Sequence, residues 1–580
     1  MRIERRPERL DEPYDLVVVG AGITGVMVAR EAAWRGLRTL VIDQNDFGAG
    51  TSSATTKYLH GGIRYLETYE FGIVRESLRE RRILALSAPH LVRQTRFIMP
   101  AWRWSKPPAA LIGAGVALYT ALAWDRNRDA PPSLRIPRPR WMGRRRLLDA
   151  VPWLQQDQLQ GAFAYHDTLN VHPERLLLAF VASAVEAGAV ALNHVKAVGF
   201  ATQATPEGRR VVGVEVEDRR SGRRCTVQAA AVVNAAGPWM DVVLDSLGVP
   251  MGVRVNRSRG VHLLARPLGG AGVVTDAVFA RAPSGRHVIV SPWMGRSFIG
   301  PTDTADERHP DDVHALDVDV AELIDTVNAT VGPPQERLGI HDVEAVTVGI
   351  RPLIVQEGRD SYHTSRRHEL YDHAPSGMSG LWSIGGGKWT TARSLGEEVL
   401  DALLASPQLA WRRVGDQRPT RRLAAADAFG WAQDAQPFLD ALVRRRTDVP
   451  LAPPTREHIG RLYGTAADAV LDLIADNPAL AAPVAGSADR LDVAAQVVHA
   501  VVAESACTLA DVIDRRLVLG TLGGVSAEEI AAVAAVAGPL WGWDADRQVA
   551  EVSLEVDRRR RIEALWNPAG IVGGHGSGRH

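Results

Sequence analysis

A chain of 580 residues exceeds what one hydrophobic core usually serves, so two or three domains are expected, and 46% hydrophobic with 23% charged residues fits a soluble globular protein and excludes a disordered or fibrous one. Lys+Arg and Asp+Glu are both 67, so the formal net charge is zero and no global field recruits nucleic acid or acidic lipid; any anion must be caught by a local cluster. The two cysteines, Cys225 and Cys507, exclude a disulfide framework or a multi-cysteine metal site and fit a reducing cytoplasm, and the polar start MRIERRPERLDEPYDL lacks the apolar core of an export signal.

The first elements are a strand, a glycine turn, a helix and a strand. Leu16 to Val19 is wholly apolar, Gly20, Gly22 and Gly25 form G-x-G-x-x-G, a helix runs to about Arg35, and Leu40 to Ile42 is the next strand. These glycines permit the turn, the approach of a pyrophosphate to the backbone at Ile23 and Thr24, and close packing of helix on sheet, with the helix N-terminus towards the phosphates. Asp43 ends the second strand, with Gln44 after it, where a carboxylate binds a ribose hydroxyl and repels a 2′-phosphate; NADP is disfavoured. A glycine turn without ligand is the bland alternative, and the register of strand, helix, strand and acid argues against it.

TSSATTKYLHGGIRYLE follows, from Thr51 to Glu67. It gathers the hydroxyls of Thr51, Ser52, Ser53, Thr55 and Thr56 with Lys57, His60, Gly61, Gly62, Arg64 and Tyr65, more donors than a connection needs. NAD enzymes do not need such a loop, whereas a flavin's pyrophosphate and isoalloxazine ring do, so FAD is favoured. Only four lysines occur (Lys57, Lys106, Lys196, Lys388), leaving 63 arginines among the 67 basic residues. A coding bias towards arginine accounts for the ratio, but a retained ammonium is the more easily deprotonated cation.

Arg75, Arg79 and Arg82 share a helical face with Glu76 and Glu80 and read as a solvated surface. AALIGAGVALYTALAW, Ala109 to Trp124, is flanked by Trp102, Trp104 and Lys106 before it and by Arg126 and Arg128 after it, and falls short of the roughly 20 residues a spanning helix needs. Apolar all round, it reads as a buried core helix rather than an interfacial anchor. Val211 to Val216 and Thr226 to Asn234 read as strands, the second running into NAAGPW, whose Ala236, Gly237 and Trp239 form a second edge of the flavin pocket. LWSIGGGKWTTARSLGEEVLDALL repeats strand, glycine turn and helix, and brings Gly386, Gly387, Lys388, Trp389 and Thr390 towards the flavin's pyrimidine end. Beyond about residue 410 the chain is rich in Ala and Leu at helical spacing, joined by RRVGDQRPTRR and closed by a tail, GGHGSGRH, too sparse for a metal site.

GAGITG, GTSSATTKYLHGGIRYLE, NAAGPWMD, RGVHLL, FIGPTDT, GIRPL, TSR and GGGKWTT stand in the order and spacing of the FAD-dependent glycerol-3-phosphate dehydrogenases, within the D-amino-acid-oxidase-like flavoproteins. The chain resembles that family over roughly residues 14 to 400, with a weaker match beyond. The resemblance implies an α/β (α+β) fold: a Rossmann-like FAD-binding domain split along the chain, a substrate domain with an antiparallel sheet, and a C-terminal helical domain. The expected bounds are 1–100, 160–245 and 366–408 for the first, 101–159 and 246–365 for the second, 409–570 for the third, and 571–580 for a flexible tail.

It further implies oxidation of sn-glycerol 3-phosphate to glycerone phosphate, with hydride to FAD N5 and electrons passing to a quinone or similar acceptor. Oxidase activity, a homodimer and docking on the inner face of the cytoplasmic membrane stay open, and no nucleic acid partner is expected. Arg64, Tyr65, Arg351 and Arg366 match positions that hold the phosphate, a task suited to bidentate guanidinium donors. His262 in RGVHLL matches the active-site histidine and is the favoured proton acceptor, because an ordinary imidazole titrates near neutrality. Lys388 is its rival or helper, and Lys57 and His60 match positions that seat the flavin. Asp43 for glutamate, Arg259 for lysine, Trp389 for an aliphatic residue, Ala392 for an aromatic one, Arg367 for an acid, and the absent paired acids in DTLNVHPERL depart from the family pattern. An amine or 2-hydroxy acid oxidoreductase of the same fold, and a flavin-binding membrane-surface protein without turnover, are the competing readings.

Overall fold

The computed structural model describes residues 2–105, 107–246, 248, 255–269, 275–281, 287–333, 337–354, 368–410, 433–484, 486, 490–568 and 570. Arg366 and Arg367, Lys106, RRVGDQRPTRR and the tail therefore lie outside the described residues.

The first sheet orders its strands Glu369–Asp372, Leu381–Gly385, Arg224–Asn234, Tyr14–Val19, Thr39–Ile42 and Val190–Leu192 from edge to edge. Tyr14–Val19 is buried at every position and pairs in parallel on both sides, as its apolar run Leu16–Val19 requires. Its strands come from residues 14–42, 190–234 and 369–385, so the sheet is split along the sequence. A hairpin, Val195–Thr205 with Gly208–Asp218, extends the Arg224–Asn234 strand antiparallel. The helix Ile23–Trp34 is buried in one core with Pro173–Glu186 and Ala392–Ala405.

The second sheet is largely antiparallel and centres on Val255–Ala265, which pairs along its length with Val343–Ile354. Tyr58–Leu59, Val92–Trp102 and Leu159–Asn170 also belong to it. It thus crosses the expected bounds at residues 100 and 160, since register between distant strands is invisible to a linear division. Helices from Ala435–Arg445 to Ala545–Trp566 form the remaining body.

The Ala109–Leu122 segment is a helix, but it is not a core helix. Among its side chains only Val116 and Tyr119 are buried, while Leu111 is 60% and Leu118 41% exposed, beside Trp104 at 55% and Trp124 at 68%. Apolarity all round did not mean burial all round, because only one side meets the second sheet. The Arg75–Arg82 face also differs from its expected solvated state. Arg75 holds Asp125 through two bonds (2.6 and 2.9 Å), Arg82 reaches the same carboxylate, and buried Glu80 takes two from Arg393 (2.7 and 2.8 Å). No helix among the described residues is long and apolar enough to cross a membrane.

Candidate active site

A cavity of about 1350 Å³ runs from the first glycine turn to the face of the second sheet. At its near end the turn is forced by sterics. Gly20 has φ +104°, and a Cβ on Gly25 would lie 1.8 Å from the Gly20 carbonyl oxygen, so only glycine lets helix meet strand here. Gly20, Gly22, Ile23 and Thr24 line the cavity, so the N-terminus of the Ile23–Trp34 helix opens into it. Asp43 and Gln44 line the same end. The Asp43 carboxylate accepts the Ala21 and Asn45 N–H groups, both at 2.8 Å, which fixes its orientation and leaves lone pairs for a further donor.

The hydroxyl-rich loop spends much of its capacity on the chain itself. Thr51 Oγ1 donates to the Ile350 carbonyl (2.7 Å), Ser53 Oγ to the Gly50 carbonyl (3.1 Å), and Ser52 Oγ accepts the first helix N–H, that of Ile23 (2.9 Å). Ser52 therefore caps the dinucleotide helix from the loop and keeps its own proton for another acceptor. Thr51, Ser52, His60, Gly62, Arg64 and Tyr65 line the cavity, whereas Ser53, Lys57 and Gly61 do not. Gly61 is held from behind, its N–H donating to the Tyr119 hydroxyl (2.9 Å). Lys57 is buried away from the cavity, 3.5 Å from Glu174 and 4.6 Å from the Trp293 ring centroid. Its expected place against a flavin gives way to this ion pair, which a left-handed backbone at Lys57 (φ +59°) aims inward.

At the far end stand His262, Arg351 and Lys388. His262 is buried and stacked on Phe298 (4.9 Å, 9°), and neither ring nitrogen has a hydrogen-bond partner among the described residues. Burial, with Arg351 and Lys57 adding like charge, pushes its pKa down to about 3, so the near-neutral titration expected of it is replaced by a neutral ring throughout the physiological range. Arg351 lies over Gly260, where a Cβ would meet its Nη2 at 2.3 Å. Its guanidinium donates to Ser258 Oγ (3.2 Å) and the Thr302 carbonyl (3.0 Å) and stands 3.4 Å from Asp303. The Lys388 ammonium sits 3.6 Å from the Tyr65 ring centroid, with the Arg64 guanidinium 5.9 Å from the same ring.

Gly386, Gly387, Trp389 and Thr390 line the wall between the ends, and Trp389 Nε1 donates to the Ser52 carbonyl (3.2 Å). Ala236, Gly237 and Trp239 form the opposite edge. Asp303 was missed as a site residue. It lies in FIGPTDT, lines the cavity, and shares Ser258 with Arg351, a contact that only the pairing of strand and loop reveals.

These residues fit FAD. The volume exceeds the usual few hundred to 1,000 Å³ of a small-ligand pocket, as a dinucleotide plus substrate requires. A helix N-terminus and a glycine turn that a Cβ would fill meet an acid at one end, and the orphaned buried imidazole waits at the other.

A family profile described as FAD dependent oxidoreductase matches residues 15–401, and one described as the C-terminal domain of alpha-glycerophosphate oxidase matches residues 424–548. A glycerol-3-phosphate dehydrogenase of Synechocystis sp. is 34% identical over 520 residues, 88% of this chain and 89% of the relative. Glycerol-3-phosphate dehydrogenase 2 of Mycobacterium tuberculosis is 33% identical over 564 residues, 94% and 88% of the two chains. The crystal structure of the glycerol-3-phosphate dehydrogenase from Bacillus halodurans complexed with FAD superposes with a TM-score of 0.76 at 26% identity and 97% coverage of each chain.

Proposed function

The chain belongs to the FAD-dependent glycerol-3-phosphate dehydrogenases, and from that premise we propose how its own residues oxidise sn-glycerol 3-phosphate to glycerone phosphate. The first sheet is the cofactor-binding part and the second the substrate-binding part. The Gly20–Gly25 turn and the helix behind it would hold the pyrophosphate of FAD, Asp43 would hold its ribose, and Trp389 and Thr390, which line the same cavity, would hold its ring. When bound, FAD supplies the electron-pair acceptor that amino-acid side chains lack.

His262 takes the proton of the substrate's secondary hydroxyl at an unpartnered ring nitrogen. Its depressed pKa makes it neutral and ready, and the arriving phosphate dianion offsets Arg351 and so raises its basicity in the complex. Arg351 and Arg64 both line the cavity and would hold the phosphate, a dianion suited to bidentate guanidinium donors; Arg366, the third arginine of that set, lies outside the described residues. Lys388 holds a second positive charge at the Tyr65 side. The observation that carries this reading is the buried, neutral, unpartnered His262 sharing one cavity with Arg351 and the glycine turn.

Electrons leave for a quinone at a membrane surface. Trp104, Leu111 and Leu118 are exposed and at the same time line the cavity, so one apolar face borders both solvent and the site, with Arg103, Arg126 and Arg128 near it in sequence for anionic headgroups. The test of substrate is anaerobic bleaching of the flavin by glycerol 3-phosphate, glycerol and amino acids. Rapid bleaching by the phosphate ester alone supports the reading, and bleaching by an amino acid or by none overturns it.

A further inference from the structure

The segment that follows the second strand of the cofactor sheet has two faces. Asp43, Gln44 and Asn45 line the cavity, but Asp46 does not; its carboxylate is fully buried and points to the C-terminal helices. It accepts two bonds from Arg516 (2.6 and 2.9 Å), one from Arg515 Nε (2.5 Å) and one from the Asn193 amide (2.9 Å). Adjacent residues of a regular α-helix diverge by about 100°, so two neighbours rarely serve one carboxylate. Here Val512–Arg516 is a five-residue π-helical stretch, a costly distortion most often kept where position matters, and it lets both arginines converge.

The other side of the segment is fastened to the same helices. Its backbone is bracketed by the 192–195 strand end: the Asp43 N–H reaches the Leu192 carbonyl (3.1 Å), and the Asp43 and Asn45 carbonyls accept from Val195 (2.7 Å) and His194 (2.9 Å). That strand end is pinned in turn, His194 Nε2 bonding Asp511 (2.8 Å) and the Asn193 amide reaching the Ser505 carbonyl (2.8 Å). Arg515 closes the circuit with a second bond to Asp511 (2.7 Å). A well-packed apolar contact would join two domains at lower desolvation cost than this buried ion cluster, whose best-attested use is to fix register.

We infer that Arg515 and Arg516 are positioning residues for the cofactor: the C-terminal helical domain sets the geometry of the Asp43–Asp46 segment that receives the FAD ribose. By linkage, FAD binding tightens the docking of that domain to the same degree. The inference rests on FAD as the cofactor and is independent of the substrate and of His262.

The test uses the full chain, stripped of flavin and titrated with FAD by fluorescence, with thermal midpoints of the apo and FAD-saturated forms read separately. Arg516→Lys keeps the charge but loses the two-pronged contact, and Arg515→Gln leaves Asp46 paired with Arg516. Both should raise the FAD Kd, Arg516→Lys by about tenfold or more, and shrink the rise in Tm that FAD confers. Arg490→Gln is the structural control, because its partner Glu529 lies in the C-terminal helices outside the 512–516 stretch; it should lower both midpoints alike and leave Kd unchanged. Variants at 515 and 516 that lose thermal stability yet bind FAD with the wild-type Kd overturn the inference, and if Arg516→Lys is insoluble, Arg515→Gln decides by the same criterion.

Discussion

Lowering the pH from 8 to 5 should remove about 2 kcal/mol of stability through His262 alone. The unfolded imidazole titrates at the ordinary 6.5 and the folded one at about 3, so between those values the unfolded state binds more protons. The stability contributed by the buried neutral ring is therefore complete above pH 6.5 and declines as pH falls towards about 3. At pH 5 the unfolded ring is protonated by about thirty to one while the folded ring is not, and RT times the logarithm of that ratio is about 2 kcal/mol. His262→Phe keeps an aromatic ring against Phe298 but cannot titrate. Urea unfolding of the FAD-saturated protein at both pH values should thus show a loss about 2 kcal/mol smaller in the variant than in the wild type. His90, also depressed by burial to about 3, and His172 titrate alike in both proteins and cancel. Equal losses in the two proteins would refute a buried, proton-free His262.

Gly25→Ala should abolish FAD retention, since its Cβ would stand 1.8 Å from the Gly20 oxygen; a purified variant with the wild-type ratio of flavin to protein absorbance would contradict the cradle. Arg351→Ala should keep FAD and lose about 3 kcal/mol in kcat/KM for glycerol 3-phosphate, roughly a hundredfold, and an unchanged value removes it from the phosphate site. Arg461→Ala, a half-exposed pair with Glu457, is the appropriate silent control; Arg75 is not, because it holds Asp125. Leu111→Glu with Leu118→Glu should reduce co-sedimentation with phosphatidylglycerol vesicles, and undiminished binding would refute docking through this face.

The glycine turn, its flanking strands and Asp43 were legible because they are local: backbone reach, φ above zero and helix packing act within some 20 residues and leave their mark on residue type. The same holds for part of the split first sheet, where Tyr14–Val19, Thr39–Ile42 and Leu381–Gly385 run into Gly20, Asp43 and Gly386, whereas Val190–Leu192 runs into Asn193 and carries no such mark. Lys57 was legible as unusual but not as to direction, since its inward turn depends on Glu174 and Trp293, more than a hundred residues away. The exposed face of Ala109–Leu122 escaped for a related reason: composition reports that a helix is apolar, and only its neighbours decide which side they cover. The depressed pKa of His262 and the placing of Asp303 beside Arg351 both arise from strand pairing that no window of sequence contains. Asp46 and Arg516 lie 470 positions apart and carry no motif at all, so their bond could only be met in three dimensions.

The central claim is that His262 accepts the substrate proton while Lys388 assists by charge. Anaerobic stopped-flow bleaching of the flavin at saturating glycerol 3-phosphate tests it across pH in wild type, His262→Ala and Lys388→Arg. His262→Ala should retain FAD and slow reduction by roughly 10²- to 10⁴-fold, the usual size of a general-base contribution, and Lys388→Arg, which keeps the charge, should cost far less. A His262→Ala protein that bleaches near the wild-type rate while Lys388→Arg stalls would contradict the account and make Lys388 the base.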